Sequence, residues 1–187
     1  MAGLALGGCA GSVPRVAREP AAARNAPAEP ERVAELRLPD DAGFFAPTVL
    51  GVDATGRLLV ADAGRGRIAV FAPEGGFVGF LESPAAATGI GGRLQDVRGI
   101  AVSTGGLAIY ALDAGSGRVY GWDLGLRFRG VALDAAGEAS RARFGACQPE
   151  GLALEPSGGA LLADRSGDRL LAFDPEWRPD KELGGPG

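Results

Sequence analysis

The chain has 187 residues, of which 46 % are hydrophobic and 32 are glycine, and its formal net charge is −4 at pH 7. It contains no histidine and one lysine, Lys181. These counts exclude His-based acid–base catalysis, Ser-His-Asp triads, His-containing zinc sites and a phosphate-binding loop ending in Gly-Lys-Ser/Thr, and the acidic balance disfavours a nucleic-acid partner.

The chain opens with small apolar residues that lead into Leu6-Gly7-Gly8-Cys9. This segment resembles the lipobox of bacterial lipoproteins, with Gly8 as the small residue before the cysteine. The resemblance implies that residues 1–9 are a lipoprotein signal-like segment and that Cys9 is lipidated. It also implies an anchor in the bacterial cell envelope, on the periplasmic or outer-membrane face. A positively charged start is missing and the apolar stretch is short for a signal peptide, so a Gly/Ala-rich terminus with a chance cysteine is the alternative.

Residues 10–34 are rich in proline and alanine and have few large apolar side chains. Such a stretch cannot offset the entropy lost on ordering, so we predict a disordered tether. The sequence has no run of 18 or more apolar residues, so it predicts no membrane-spanning helix.

From residue 35 onward, an acid, an arginine and an aromatic residue recur with a spacing of 51 residues. The sets are Asp62, Arg67 and Phe71; Asp113, Arg118 and Trp122; and Asp164, Arg169 and Phe173. A long fixed period indicates a repeat architecture. Because the acids and arginines recur in every unit, we predict a structural role as repeat braces: each Asp accepts backbone N–H groups of the following turn, and each Arg braces that turn or an adjacent unit.

Each unit of the domain 35–187 predicts four short strands separated by turns that contain Gly, Asp or Pro. The units cover about residues 40–85, 94–135 and 144–183. The first strand of each unit has small residues, as in Gly99-Ile100-Ala101-Val102, which suits a strand packed closely near an axis. Radially arranged four-stranded antiparallel meanders form a β-propeller, so the predicted fold class is all-β.

The segments Val60-Ala61-Asp62 and Arg67-Ile68-Ala69-Val70-Phe71 resemble the core of the NHL repeat. The resemblance covers about residues 40–183, and it departs in the second unit, where the strand ending at Asp113 is one residue longer. NHL propellers usually have six blades. The resemblance therefore implies a half or incomplete six-bladed propeller made of three NHL-type blades.

Three blades cannot close a ring, and three explanations are open. Two copies join into a six-bladed ring, the chain is a fragment or the product of a truncated gene, or the half-propeller stacks on another protein. An open meander exposes strand edges, so we expect a protein partner on them, with a homodimer first.

No catalytic, metal-binding or cofactor-binding residues are predicted. Cys147 has no His or Lys near it in sequence to lower its pKa, which favours a structural thiol. The glycines of Gly89-Ile90-Gly91-Gly92 lack the strand-to-helix context of a dinucleotide site. Asp40 and Asp41 are read as a solvated turn.

The non-repeating loops give the candidate binding face. Loops between blades and loops between second and third strands are expected on one face, where binding commonly resides on a rigid scaffold. The candidate residues are Phe44, Phe45, Arg65, Arg93, Gln95, Arg98, Ser116, Gln148, Glu150 and Arg165. Phe44 and Phe45 are the predicted apolar anchor and Arg98 the predicted polar one, and ordinary surface loops are the alternative.

The sequence therefore predicts a non-catalytic binding or scaffold module for protein–protein interaction. One alternative is a propeller hydrolase or lyase, similar to lactonases, completed by a second copy or further blades. Those enzymes use His or clustered acidic and Asn ligands, whereas this chain has no His and one Asn, Asn25. An RNA-binding NHL domain is the other alternative, and the acidic charge weighs against it.

Overall fold

The computed structural model describes residues 35–39, 43–81, 93–103 and 105–185. Within them the chain forms three antiparallel sheets of four strands, and the strands of each sheet are adjacent in chain order. This confirms the predicted all-β fold of three four-stranded meanders, which we call blades 1, 2 and 3. Cys9, the tether and the Asp40-Asp41 turn lie outside the described residues.

The strands are short, and each blade contributes four of them. Blade 1 contains β1 (Pro47–Val52), β2 (Leu58–Asp62), β3 (Arg67–Phe71) and β4 (Phe77–Phe80). Blade 2 contains β5 (Val97–Val102), β6 (Ala108–Asp113), β7 (Arg118–Asp123) and β8 (Phe128–Asp134). Blade 3 contains β9 (Pro149–Leu154), β10 (Ala160–Asp164), β11 (Arg169–Phe173) and β12 (Pro179–Gly184).

The strand register explains the 51-residue period. In every blade the repeated Asp ends the second strand and the repeated Arg begins the third, directly opposite it. The aromatic residue then falls at or near the far end of the third strand. The period therefore arises because the same hairpin between the second and third strands occurs in each of the three blades.

Apolar side chains fill the space between neighbouring blades. Blades 1 and 2 share a core that includes Ile68, Val70 and Trp122, and the Trp122 side chain is fully buried there. Blades 2 and 3 share a second core that includes Val119 and Phe173. Blade order in space therefore follows chain order, because each blade packs on the next.

The first strands of neighbouring blades approach each other closely, and glycine makes this possible. A Cβ atom at Gly51 would lie 2.7 Å from Ile100 Cγ2 of blade 2. A Cβ atom at Gly99 would lie 2.9 Å from Leu152 Cβ and 3.0 Å from the Leu152 backbone nitrogen of blade 3. The small residues predicted for the first strands thus mark the contact between blades.

We expect Gly99→Ala to lower the free energy of unfolding by about 1–3 kcal/mol, the usual cost of overpacking. The added methyl group meets backbone atoms of Leu152, which cannot rotate away. Urea denaturation of the variant measures the loss. Gly76→Ala is the control, because no atom lies within 4 Å of a Cβ placed there. Equal stability of the two variants would contradict the packing of β5 on β9.

One element was not predicted from the sequence. A helix, α1 (Glu138–Phe144), lies between blades 2 and 3 and buries Ser140 and Phe144. The Phe144 ring lies 5.6 Å from the Phe173 ring, edge to face. The Ser140 hydroxyl donates to the backbone oxygen of Asp134 at 3.0 Å. The helix therefore closes the outer side of the second core.

Candidate functional site

Each repeated Asp holds the segment that enters its blade. The carboxylates are buried and accept backbone N–H groups from residues 16–18 positions earlier in the chain. The bonds run from Phe45 and Ala46 to Asp62 (3.2 and 3.0 Å), from Gln95 and Asp96 to Asp113 (3.1 and 2.7 Å), and from Gln148 to Asp164 (2.8 Å). Entry segments and second-to-third-strand turns therefore meet at one end of every blade, which we call the loop face.

This arrangement differs from the sequence expectation in one respect. The sequence predicts that the acids bind the following turn, and Asp164 does accept a backbone N–H there, from Ser166 at 3.1 Å. In blade 2 the turn contributes the hydroxyl of Ser116, 2.9 Å from Asp113 Oδ2. The principal partner is the preceding segment, because the hairpin places the end of the second strand beside it.

The three repeated arginines make different contacts. Arg169 donates to Asp164 Oδ2 at 3.0 Å and also binds Glu182 and the backbone oxygen of Phe144. Arg118 instead donates to Asp134 of its own fourth strand at 3.1 Å. Arg67 lies 3.7 Å from Asp62 Oδ2, and its guanidinium stands 4.1 Å above the centre of the Phe80 ring.

Two of the buried acids have lowered pKa values. Burial raises the pKa of Asp164, but hydrogen bonds from Gln148, Ser166 and Arg169 outweigh it, and the net pKa lies below the ordinary value. Asp53, in the turn after β1, behaves alike: burial raises its pKa, and bonds from Thr55 and Arg57 lower it further than burial raises it. Both side chains are therefore carboxylates under all mild conditions.

A pKa that is lower in the folded state than in the unfolded state makes the free energy of unfolding depend on pH. Unfolded aspartate binds its proton near pH 3.9, whereas these two groups bind it only at lower pH, so the unfolded chain takes up protons first. The stabilisation is complete above about pH 4 and declines as the pH falls through the folded-state values. Urea titration at a series of pH values measures the free energy of unfolding. We expect this free energy to decrease as the pH is lowered beyond about 4. In Asp53→Asn the decline should be shallower; an unchanged slope would contradict this origin.

A line of charges joins blades 2 and 3 on the loop face. Arg98 pairs with Asp96 at 2.9 Å within its own blade and with Glu150 of blade 3 at 3.3 Å. Arg165 approaches the other oxygen of Glu150 at 3.5 Å. The side chains of Asp96, Arg98 and Glu150 remain between 33 and 47 % exposed, so the line is accessible to solvent. A cleft of about 360 Å³ beside it is lined by residues that include Ser116, Cys147 and Gln148.

The two predicted aromatic anchors, Phe44 and Phe45, lie in different environments. Phe45 is 75 % exposed and stands over Gly64 of the second-to-third-strand turn. Phe44 is half-buried, and its ring lies 5.9 Å from that of Phe71 in the core of blade 1. Phe44 is therefore turned into the core of blade 1, whereas Phe45 presents its ring to solvent on the loop face.

The remaining candidates lie around blade 1 and blade 2. Arg65 is half-buried and sits 3.7 Å from Asp62 Oδ2, so it belongs to the bracing of blade 1. Arg93 packs against the turn at Gly66, where a Cβ atom would lie 2.5 Å from the Arg93 Cβ. Gln95 is exposed beside Gly115. The structure thus gathers Gln95, Arg98, Gln148, Glu150 and Arg165 around the boundary of blades 2 and 3.

The Cys147 thiol is not arranged as a nucleophile. Burial raises its pKa, and the nearby Asp164 raises it further, so the reactive thiolate is disfavoured. Its sulfur donates to the backbone oxygen of Ala135 at 3.4 Å. Among the described residues no group of three or more His, Cys, Asp or Glu side chains could hold a metal ion, and none of the helices found there is long and apolar enough to cross a membrane.

Asp96 was missed by the sequence analysis. It stands outside the repeat, and its role depends on Arg98, two positions later on the same side of the strand start. An acidic and a basic residue two positions apart in the sequence were the signal that could have indicated this ion pair.

No protein-family model and no curated protein matches the chain. Solved structures do match. Streptogramin B lyase superposes with a TM-score of 0.54 at 14 % identity, over 75 % of this chain and 41 % of that chain. A luciferin-regenerating enzyme gives 0.55 at 16 % identity, over 75 % and 46 %. Regucalcin from Agrobacterium tumefaciens, a calcium-binding protein, gives 0.56 at 16 % identity, over 75 % and 46 %.

These similarities establish the fold. The matched proteins are of the propeller type, and the chain spans less than half the length of each of them. Together with the three consecutive four-stranded sheets, the partial coverage identifies the chain as an incomplete set of β-propeller blades.

Proposed function

We propose that the chain is a non-catalytic binding module of the NHL type that recognises a protein partner through its loop face. The observation that carries the proposal is the exposure of Phe45 on the same face as the charged line of Asp96, Arg98, Glu150 and Arg165. An exposed aromatic ring and accessible charges on one face are the usual composition of a protein-binding hot spot and its rim. The rigid hairpins below hold these loops in place.

The test compares variants in partner capture. The full chain carrying Phe45→Ala and Arg98→Ala is used as bait on a bacterial envelope extract, and retained proteins are quantified against wild type. We expect at least a tenfold loss of a specific partner, since hot-spot truncation costs about 2 kcal/mol or more. The control is Arg129→Ala, which removes an exposed arginine of β8 that pairs with Asp123. Identical retained proteins for wild type and double variant would overturn the proposal.

We further propose that lipid on Cys9 tethers the module to the bacterial cell envelope, on the periplasmic or outer-membrane face. The lipobox-like sequence before Cys9 supports this part of the proposal. Cell fractionation of wild type and Cys9→Ser tests it. The variant should leave the membrane fraction, and equal membrane retention of both proteins would contradict lipidation.

A lyase or hydrolase completed by further blades is the second candidate. It is favoured by the superposition on streptogramin B lyase and on a luciferin-regenerating enzyme, at 14 and 16 % identity. The histidine-free sequence weighs against it. Stoichiometric calcium or zinc in the purified protein would favour the enzyme over the binding module.

A further inference from the structure

The last blade exposes a surface that the other two blades bury. Residues 68, 119 and 170 occupy the same register position in their blades, one residue after the repeated Arg. Ile68 and Val119 are fully buried because blades 2 and 3 pack on them, whereas Leu170 is 40 % exposed. Leu183 and Ala163 are paired with Leu170 in neighbouring strands and share its side of the sheet. We call this side of blade 3 the trailing face.

The trailing face also contains an empty receiving position. Gly151 stands in the same register as Gly99, which receives Leu152 of the following blade. At Gly151 the nearest atom to a Cβ would be Ala163 Cβ of the same sheet, at 3.6 Å. An open cleft of about 670 Å³ extends over this side, lined by residues that include Ala163, Leu170 and Leu183.

The first blade exposes the complementary surface. Leu50, Ile100 and Leu152 share one register position in their first strands. Ile100 packs against Gly51 and Leu152 against Gly99, in each case on the preceding blade. Leu50 has no preceding blade among the described residues and is 66 % exposed, and Val52 beside it is 62 % exposed. We call this side of blade 1 the leading face.

Side chains from the segment before β1 already cover the outer part of the leading face, as Leu94 does between blades 1 and 2. Phe44 lies there in the register that Leu94 occupies between blades 1 and 2. Leu38, from the segment before blade 1, is buried in the same cluster. The exposed remainder is thus the inner strand, which is the part that a preceding blade's first strand would contact.

We propose that the leading face of one copy packs on the trailing face of a second copy, and that both joints form at once to close a ring of six blades. Ala153 stands in the register of Gly51, which receives Ile100 of the following blade. Leu50 on the leading face, and Gly151 with Ala153 on the trailing face, are therefore the two halves of an interface that already occurs twice within the chain. A single chain covers 41 to 46 % of each similar propeller chain, so two copies together match the length of one of them. Two-fold closure leaves neither face exposed, which removes the open sheet surfaces at the two ends.

The proposal does not depend on the loop-face function, because the two faces lie at the ends of the blade array and the readout is a mass rather than partner capture. Light scattering of the full chain, with Cys9→Ser to prevent lipidation and with reductant present, gives the mass at micromolar concentration. We expect about twice the 18.9 kDa of one chain. A monomer under these conditions would overturn the proposal, as would a mass that grows with concentration into an open-ended series.

Single substitutions locate the joint. Leu50→Glu and Leu170→Glu each place a charge in one half of the interface, and both should reduce the mass to that of one chain. Both side chains are exposed within the chain itself, so circular dichroism should show an unchanged β-sheet signal. Leu107→Glu is the matched control: Leu107 is 76 % exposed in the turn between β5 and β6 of blade 2, away from either face. A dimer that survives both end-face substitutions, or that Leu107→Glu disrupts equally, would overturn this interface.

Discussion

Trp122→Ala is expected to lower the free energy of unfolding by about 3–5 kcal/mol, the range measured for truncation of a large buried aromatic side chain. The Trp122 ring is fully buried between blades 1 and 2, with the Tyr120 and Phe128 rings 6.3 and 5.8 Å from it. Its loss opens a cavity in the joint that holds the two blades together. Urea denaturation followed by circular dichroism measures the change.

Trp122→Phe serves as the control for this experiment. Phe71 and Phe173 occupy the same register position in blades 1 and 3 and are buried, so a phenylalanine fits the hairpin. We expect its loss of stability to be clearly smaller than that of the alanine variant. Equal losses would show that the cost arises from the indole itself rather than from the filled volume of the joint.

Asp164→Ala is expected to cost about 3–5 kcal/mol, as is usual when one partner of a buried ion pair is removed. The Asp164 side chain is 0 % exposed and that of Arg169 is 17 % exposed. The substitution leaves the N–H groups of Gln148 and Ser166 without their acceptor and frees the entry segment of blade 3. Thermal or urea unfolding gives the size of the loss.

Glu176→Ala is the matched control, because it removes an exposed carboxylate of the turn before β12. Its effect should stay within about 0.5 kcal/mol, as for most surface substitutions. If Asp164→Ala were as mild as the control, the repeated acids would have no bracing role, and their spacing would need a functional explanation.

The repeat could be predicted from the sequence because its residues sit at a fixed register. Asp62 and Arg67 face each other across one hairpin, and the same pairing holds in the other two blades. A spacing of 51 residues therefore determined strand order, turn position and the side of each aromatic residue. The fold class followed from that single pattern.

Other features depended on tertiary contacts that the sequence does not display. Helix α1 begins after Gly137 without a side-chain cap and buries only Ser140 and Phe144, so its apolar pattern is too sparse to recognise. Phe44 and Phe45 were predicted together as one anchor. Adjacent residues in an extended segment point to opposite sides, so only Phe45 could remain exposed.

The direction in which the repeated acids bind was also outside the reach of local patterns. Asx-type turns favour binding to the following residues, and this was the basis of the prediction. The entry segments instead cross the end of the second strand, because each blade must connect to the one before it. The folded structure shows this in blade 2, in the bonds from Gln95 and Asp96 to Asp113.

The most direct measurement of the ring closure is a disulfide trap between two chains that each carry one new cysteine. One chain carries Leu50→Cys and the other Ala153→Cys, both with Cys9→Ser and Cys147→Ser. At the internal joint of the same register, Ile100 Cβ lies 3.2 Å from a Cβ placed at Gly51, close to the separation of about 3.5–4.5 Å that a disulfide requires. Oxidation of the mixture should give a covalent dimer, and neither chain alone should do so. No covalent dimer in the mixture, or equal cross-linking of each chain with itself, would contradict the head-to-tail joint.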